Sequence, residues 1–137
     1  LNDQFYTPVD MSPSGRRLPS GDRAFDGKIY LLVSAVNSSA TFTLARIVKD
    51  NKLGTLVGQT AGGNQKGITG GEMFFLRLPN SKIEMDIPLI GYYPLAEQPN
   101  RGIQPDVFVT PSVDDVTRGV DTEMDAVLGL IAAARCK

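Results

Sequence analysis

Two adjacent serines, Ser38 and Ser39, stand at the head of a helical pattern, directly behind the short apolar run Ile29-Tyr30-Leu31-Leu32-Val33. A strand that turns abruptly into a helix leaves unpaired N–H groups and the positive end of the helix dipole beside those hydroxyls. That arrangement suits nucleophilic acyl transfer, in which a serine attacks a carbonyl and its neighbour's backbone N–H steadies the oxyanion. The same two serines also suit plain helix capping. Lys66 lies in a loop further along. Held neutral by burial, a lysine serves as general base to a serine; left in water, it is only a solvated charge. Glu72, Glu84, Asp86 and Glu97 are acidic candidates for orienting a base. The alternation Lys82-Ile83-Glu84-Met85-Asp86-Ile87 makes Glu84 and Asp86 read as the wet side of a strand. Tyr92 and Tyr93 read as packing residues.

Absences narrow the chemistry. The chain has no histidine, so a Ser-His-Asp triad has no base within it. The single cysteine, Cys136, makes no disulfide framework and no zinc site. No metal or other cofactor is expected. A formal net charge of -1 offers no basis for binding nucleic acid or an anionic membrane surface. The Gly-rich stretch from Gly58 to Gly71 lacks the Gly-x-x-x-x-Gly-Lys-Ser/Thr spacing of a phosphate loop, so a turn or substrate-lining loop is the better reading.

These residues need elements to hold them. Residues 1–27 carry Pro8, Pro13 and Pro19 with Gly15, Gly21 and Gly27, and read as an irregular connecting segment. Residues 28–137 read as one folded unit. The run at 29–33 predicts a strand buried on both faces. Asn37 and Ser38 are candidate N-caps for a helix whose apolar stripe is Ala40, Leu44, Ile47 and Val48 and which ends near Asn51, with Gly54 just beyond. Thr55-Leu56-Val57 predicts a second strand, which completes a βαβ unit of a parallel sheet. Five glycines punctuate residues 60–71. Strands are predicted at 72–78 and 82–88, joined by a turn at Pro79-Asn80-Ser81, and a short one at 106–109. Asp121 or Thr122 caps a last helix with Met124, Val127, Leu128 and Ile131 as its stripe.

In order and spacing these pieces resemble the peptidase domain of the C-terminal processing (tail-specific) serine peptidases, the S41 type. The resemblance rests on the apolar strand, Asn37-Ser38-Ser39-Ala40, the helix, Val57-Gly58-Gln59-Thr60, the Gly-rich loop, the strand pair and Gly102-Ile103-Gln104-Pro105-Asp106-Val107. It implies an α/β fold of the ClpP/crotonase-like type, represented by its C-terminal portion. It implies Ser39 as nucleophile, the Ala40 N–H as oxyanion donor, and a peptide or protein as substrate. In the branch with a Ser-Lys dyad the lysine sits in a Thr-Phe-Gly-Lys-Gly type motif. Here that stretch is Thr60-Ala61-Gly62-Gly63-Asn64-Gln65-Lys66-Gly67, which places Lys66 three positions late. This makes the chain look closer to the branch similar to the tricorn protease core, whose base is an upstream histidine with a glutamate partner.

The expectation is therefore a catalytic-domain fragment that opens on Leu1, partners an upstream segment of the same protein and has little activity alone. Exposed sheet edges make a homo-oligomer a further expectation, and the family's usual place outside the cytoplasm or in the periplasm is the inherited localisation. A non-catalytic module of the same fold that carries an apolar ligand is the alternative function.

Overall fold

The computed structural model describes residues 25–135. The predicted connecting segment at 1–27 lies almost wholly outside the described residues, as does Cys136. The described chain is mixed α/β, in the order β1 (Tyr30–Val33), α1 (Ser39–Asp50), β2 (Thr55–Gly58), β3 (Ile68–Arg77), β4 (Glu84–Tyr92), β5 (Val107–Phe108), α2 (Val113–Arg118) and α3 (Thr122–Arg135). β1, β2 and β5 form a parallel three-stranded sheet in that spatial order, and β3 and β4 form a separate antiparallel ribbon. The predicted βαβ unit is present: α1 crosses from β1 to the parallel β2.

The core gathers on this small sheet. Val33, Phe42, Ala45, Val48, Leu56, Ala61 and Ile103 form one buried cluster, with Leu31 and Ile68 packed against it. Phe42 and Leu56 are among the largest side chains fully removed from water, each contributing roughly 2 kcal/mol by apolar burial. The central strand is β2, with Leu56, Val57 and Gly58 all buried. Among the described residues β1 is an outer strand, with only Val33 buried and Leu32 exposed, so the expected cover on both faces is not found there. Continuous hydrophobicity in the run at 29–33 signals a parallel strand without saying whether both faces are covered.

Helix α1 begins and ends as expected, with Ser38 as N-cap and Asn51 as C-cap. Its buried face shares only Val48 with the predicted stripe. Phe42, Ala45 and Val48 face the sheet, while Leu44 and Ile47 remain exposed. Both sets have helical spacing; the small Ala45 permits close approach to the sheet, and periodicity alone does not choose between them. The ribbon also shifts. β3 starts at Ile68, inside the glycine tract, with an irregular register between Gly70 and Met73, and β4 runs on to Tyr92. Exposed Phe74, Phe75, Met85 and Ile87 leave it no dry face among the described residues.

Helix α2 is an addition to the sequence reading. Its signal is nonetheless local: Ser112 and Asp115 form a reciprocal capping box, and Gly119 closes the helix in the left-handed region. Asp121 accepts from the Met124 N–H at 2.9 Å, as expected of a cap for α3. Of the predicted α3 stripe only Val127 is buried.

One polar tie joins the last turn of α1 to the sheet. Lys49 Nζ donates to Asp106 Oδ1 at 2.6 Å and to the Gln104 carbonyl at 2.9 Å. Asp106 Oδ2 accepts the Leu56 N–H at 2.8 Å, while its own N–H donates to the Leu56 carbonyl at 2.8 Å. Partial burial pushes the Asp106 carboxyl up. The hydrogen bonds from Lys49 and Leu56, with the Lys49 charge, outweigh this and hold it below the ordinary value of 3.8. A carboxyl depressed in the folded state stabilises the fold above its unfolded value, and that contribution is lost as pH falls through the folded value. Stability should therefore drop as pH is lowered below about 3.8. Asp106→Asn should flatten this dependence, at a cost near neutral pH of about 0.5–1 kcal/mol for a pair still more than a third exposed. Urea denaturation between pH 2.5 and 7 measures both.

Candidate active site

The three parallel strands all end at one edge. Ser34 to Ser39 leave the end of β1, Gln59 to Gly67 leave the end of β2, and Val109 follows β5. In open α/β sheets the carboxyl edge is where ligands bind, because loops there are free to carry chemistry while the strands stay rigid.

Ser39 is the first residue of α1 and is exposed. Its φ of 53° lies in the left-handed region, which a residue with a Cβ enters at a cost of about 1–2 kcal/mol. Ser38, the N-cap, is extended and makes no side-chain capping bond. This departs from the capping reading: the serine at the cap position does no capping, and its neighbour holds a strained backbone. At the helix head the Thr41 N–H donates to the Ser38 carbonyl at 3.2 Å. The Ser39 and Ala40 N–H groups have no acceptor among the described residues. Exposed hydroxyl and open N–H groups therefore stand together at the positive end of a 12-residue helix.

The turn before Ser39 is closely supported. The Asn37 N–H donates to the Ser34 carbonyl at 3.0 Å, and Asn37 Oδ1 accepts from the Ser34 N–H at 2.7 Å and from Ser34 Oγ at 3.1 Å. The Gly-rich loop presses on this turn from the other side. The Gly62 N–H reaches the Ser34 carbonyl at 3.4 Å, and a Cβ at Gly62 would collide with the Ala35 carbonyl oxygen. A Cβ at Gly63 would stand 2.9 Å from the Phe42 ring, one turn along α1 from Ser39. The tract is thus a packing surface for the turn that leads into Ser39, and the glycines are needed for close backbone approach.

The far side of the loop is tied down as well. Gln65 Nε2 donates to the Gly102 carbonyl at 3.1 Å, Asn64 Nδ2 to Asn100 Oδ1 at 2.6 Å, and the Ala61 N–H to the Ile103 carbonyl at 2.9 Å. The Gly-Ile-Gln-Pro-Asp segment therefore braces the loop through Gly102 and Ile103 and α1 through Asp106.

Lys66 is placed differently. It is exposed, its side chain makes no hydrogen bond or ion pair among the described residues, and it lines an open depression of about 260 Å³ with residues 94–98, Glu97 included. Glu72, Glu84 and Asp86 lie on the ribbon and are exposed. Tyr93 is exposed too, with its ring laid over Gly67 and Gly91.

A profile described as Peptidase family S41 matches residues 3–109, which take in β1 through β5 and the whole carboxyl edge. The chain belongs to peptidase family S41. No curated protein matches it. Membership in S41 supports serine peptidase function in general. In this S41 chain the residues that sequence reasoning missed are the supports. Asn37 read as a cap and instead clasps a turn. Asp106 read as part of a motif and is the anchor of α1.

Gly62→Ala should force the Ser34–Asn37 turn and the loop apart. The expected cost is about 1–3 kcal/mol, the range for overpacking. Chemical denaturation checks it.

Proposed function

We propose that this chain carries the nucleophile of a serine peptidase of the C-terminal processing type, with Ser39 in that role. The observation that supports it most is the backbone of Ser39. A strained, exposed serine at φ 53° stands at the first position of α1, behind a parallel strand and beside an open Ala40 N–H. Helix capping requires no such strain, and strained backbone of this kind gathers at functional sites.

In this reading Ser39 Oγ attacks the carbonyl carbon of a peptide bond and gives up its proton to a base. The Ala40 N–H donates to the oxyanion. Collapse breaks the C–N bond, the base returns the proton to the leaving amine, and water hydrolyses the acyl-serine. The chain offers no histidine, and Lys66 faces an open depression without engaging Ser39. We assign the base to a histidine outside these 137 residues, as in the branch similar to the tricorn protease core, and the α/β unit to a ClpP/crotonase-like core completed by further chain.

The test is labelling of the full-length protein with a fluorophosphonate, read by peptide mass spectrometry. The adduct should fall on Ser39, and Ser39→Ala should abolish it together with peptide hydrolysis, a loss of at least about 1,000-fold. Lys66→Met should leave labelling in place; its loss would return the base to Lys66. Stoichiometric binding of a fatty acid without any serine adduct would favour the ligand-carrying alternative.

A further inference from the structure

A strained nucleophile keeps its geometry only if its surroundings hold it. Helix α1 engages the carbonyls here, with the Thr41 N–H on Ser38 at 3.2 Å and Thr43 Oγ1 on Ser39 at 3.3 Å, but Ser38 makes no side-chain capping bond. On the N-terminal side the chain is delivered to Ser38–Ser39 by the segment that leaves Val33. Within that segment the side-chain hydrogen bonds all converge on one atom. Asn37 Oδ1 accepts from both the N–H and the Oγ of Ser34, at 2.7 and 3.1 Å, in a half-buried setting. The Asn37 N–H returns to the Ser34 carbonyl at 3.0 Å. Three bonds thus join Ser34 and Asn37 across a turn of four residues.

We propose that Asn37 is a positioning residue for Ser39: its side-chain oxygen clasps Ser34, and the closed turn sets the direction in which Ser39 leaves the sheet. The inference rests on the reading of Ser39 as nucleophile. Asn37 touches no reacting atom. It works by denying the turn the alternative conformations that would relax Ser39 to an ordinary helical φ. Gly62 completes the device by bearing on the same Ser34 carbonyl and on Ala35 from the loop side, so the turn is held both from within and from outside. Because Oδ1 acts only as an acceptor here, and the Asn37 amide nitrogen has no partner among the described residues, a carboxylate can take over the role.

The experiment measures saturation kinetics of fluorophosphonate labelling at Ser39 in the full-length protein, with thermal unfolding followed in parallel, for wild type, Asn37→Ala and Asn37→Asp. Asn37→Ala should lower the maximal labelling rate by about 30-fold or more, the scale of a misplaced reacting atom, with the apparent affinity for the reagent unchanged. Asn37→Asp should stay within about threefold of wild type, because it retains the acceptor. A folded Asn37→Ala that labels at the wild-type rate would overturn the proposal. So would an Asn37→Asp as slow as Asn37→Ala. If Asn37→Ala does not fold, Ser34→Ala decides: it deletes the 3.1 Å hydroxyl bond alone and should slow labelling about threefold, and an unchanged rate would overturn the clasp. A wild-type protein that takes no label on Ser39 removes the nucleophile reading itself, before any Asn37 variant is compared.

Discussion

The close approach of two chain exits, one from β1 and one from β2, is the contact on which the site depends. Val33 and Gly58 are paired in register at the ends of these strands, and a Cβ on Gly58 would run into the Val33 carbonyl. Four residues on, Gly62 repeats the contact against Ala35. Backbone meets backbone twice without intervening side chains. The Gln59 N–H accordingly reaches the Val33 carbonyl at 2.8 Å and the Gly62 N–H the Ser34 carbonyl at 3.4 Å, so the ladder continues past the end of the sheet. Glycine is required because only it permits that separation, and Gly58 additionally holds a φ of 124°.

From that contact the rest of the edge follows. The β1 exit turns back on itself through Ser34 and Asn37 and enters α1 at Ser39. The β2 exit passes over Phe42, which the core holds fully buried. The head of α1 is thereby set by the loop and its far end by Lys49 on Asp106. A helix fastened at both ends on a parallel sheet is a rigid mount. A mount of this kind is what a reacting group needs, since catalysis by positioning loses its advantage over displacements of about an ångström.

The ribbon stands apart from this logic. β3 and β4 pair along most of their length yet expose apolar side chains throughout. A two-stranded ribbon is marginal by itself, and its attachment to the core runs through Ile68, at the point where β3 leaves the Gly-rich loop. Its contribution to the site is to carry residues 94–98 back towards Lys66 and then to Gly102, which braces the loop.

Much of this was legible in the sequence. The strand–helix–strand order, the parallel unit, the ends of α1, the turn at 79–81 and the cap at Asp121 all come from signals within a few residues of one another, where turn chemistry and periodicity act directly. The resemblance to S41 peptidases was carried by the order of such local pieces, and the family match bears it out. What the tertiary structure decided is of another kind. Which face of α1 is buried depended on the sheet beneath it: Phe42, Ala45 and Val48 rather than Leu44 and Ile47. That β2 lies between β1 and β5 in the described sheet depended on β5 arriving from about 50 residues away. The strain at Ser39, the clasp of Asn37 on Ser34 and the anchoring of Lys49 by Asp106 depended on which backbone groups the fold left unpaired and near. Local propensity is written in neighbouring residue types, whereas the partners of a hydrogen bond or a buried face are chosen by distance in space, and that is settled only when the chain has closed on itself.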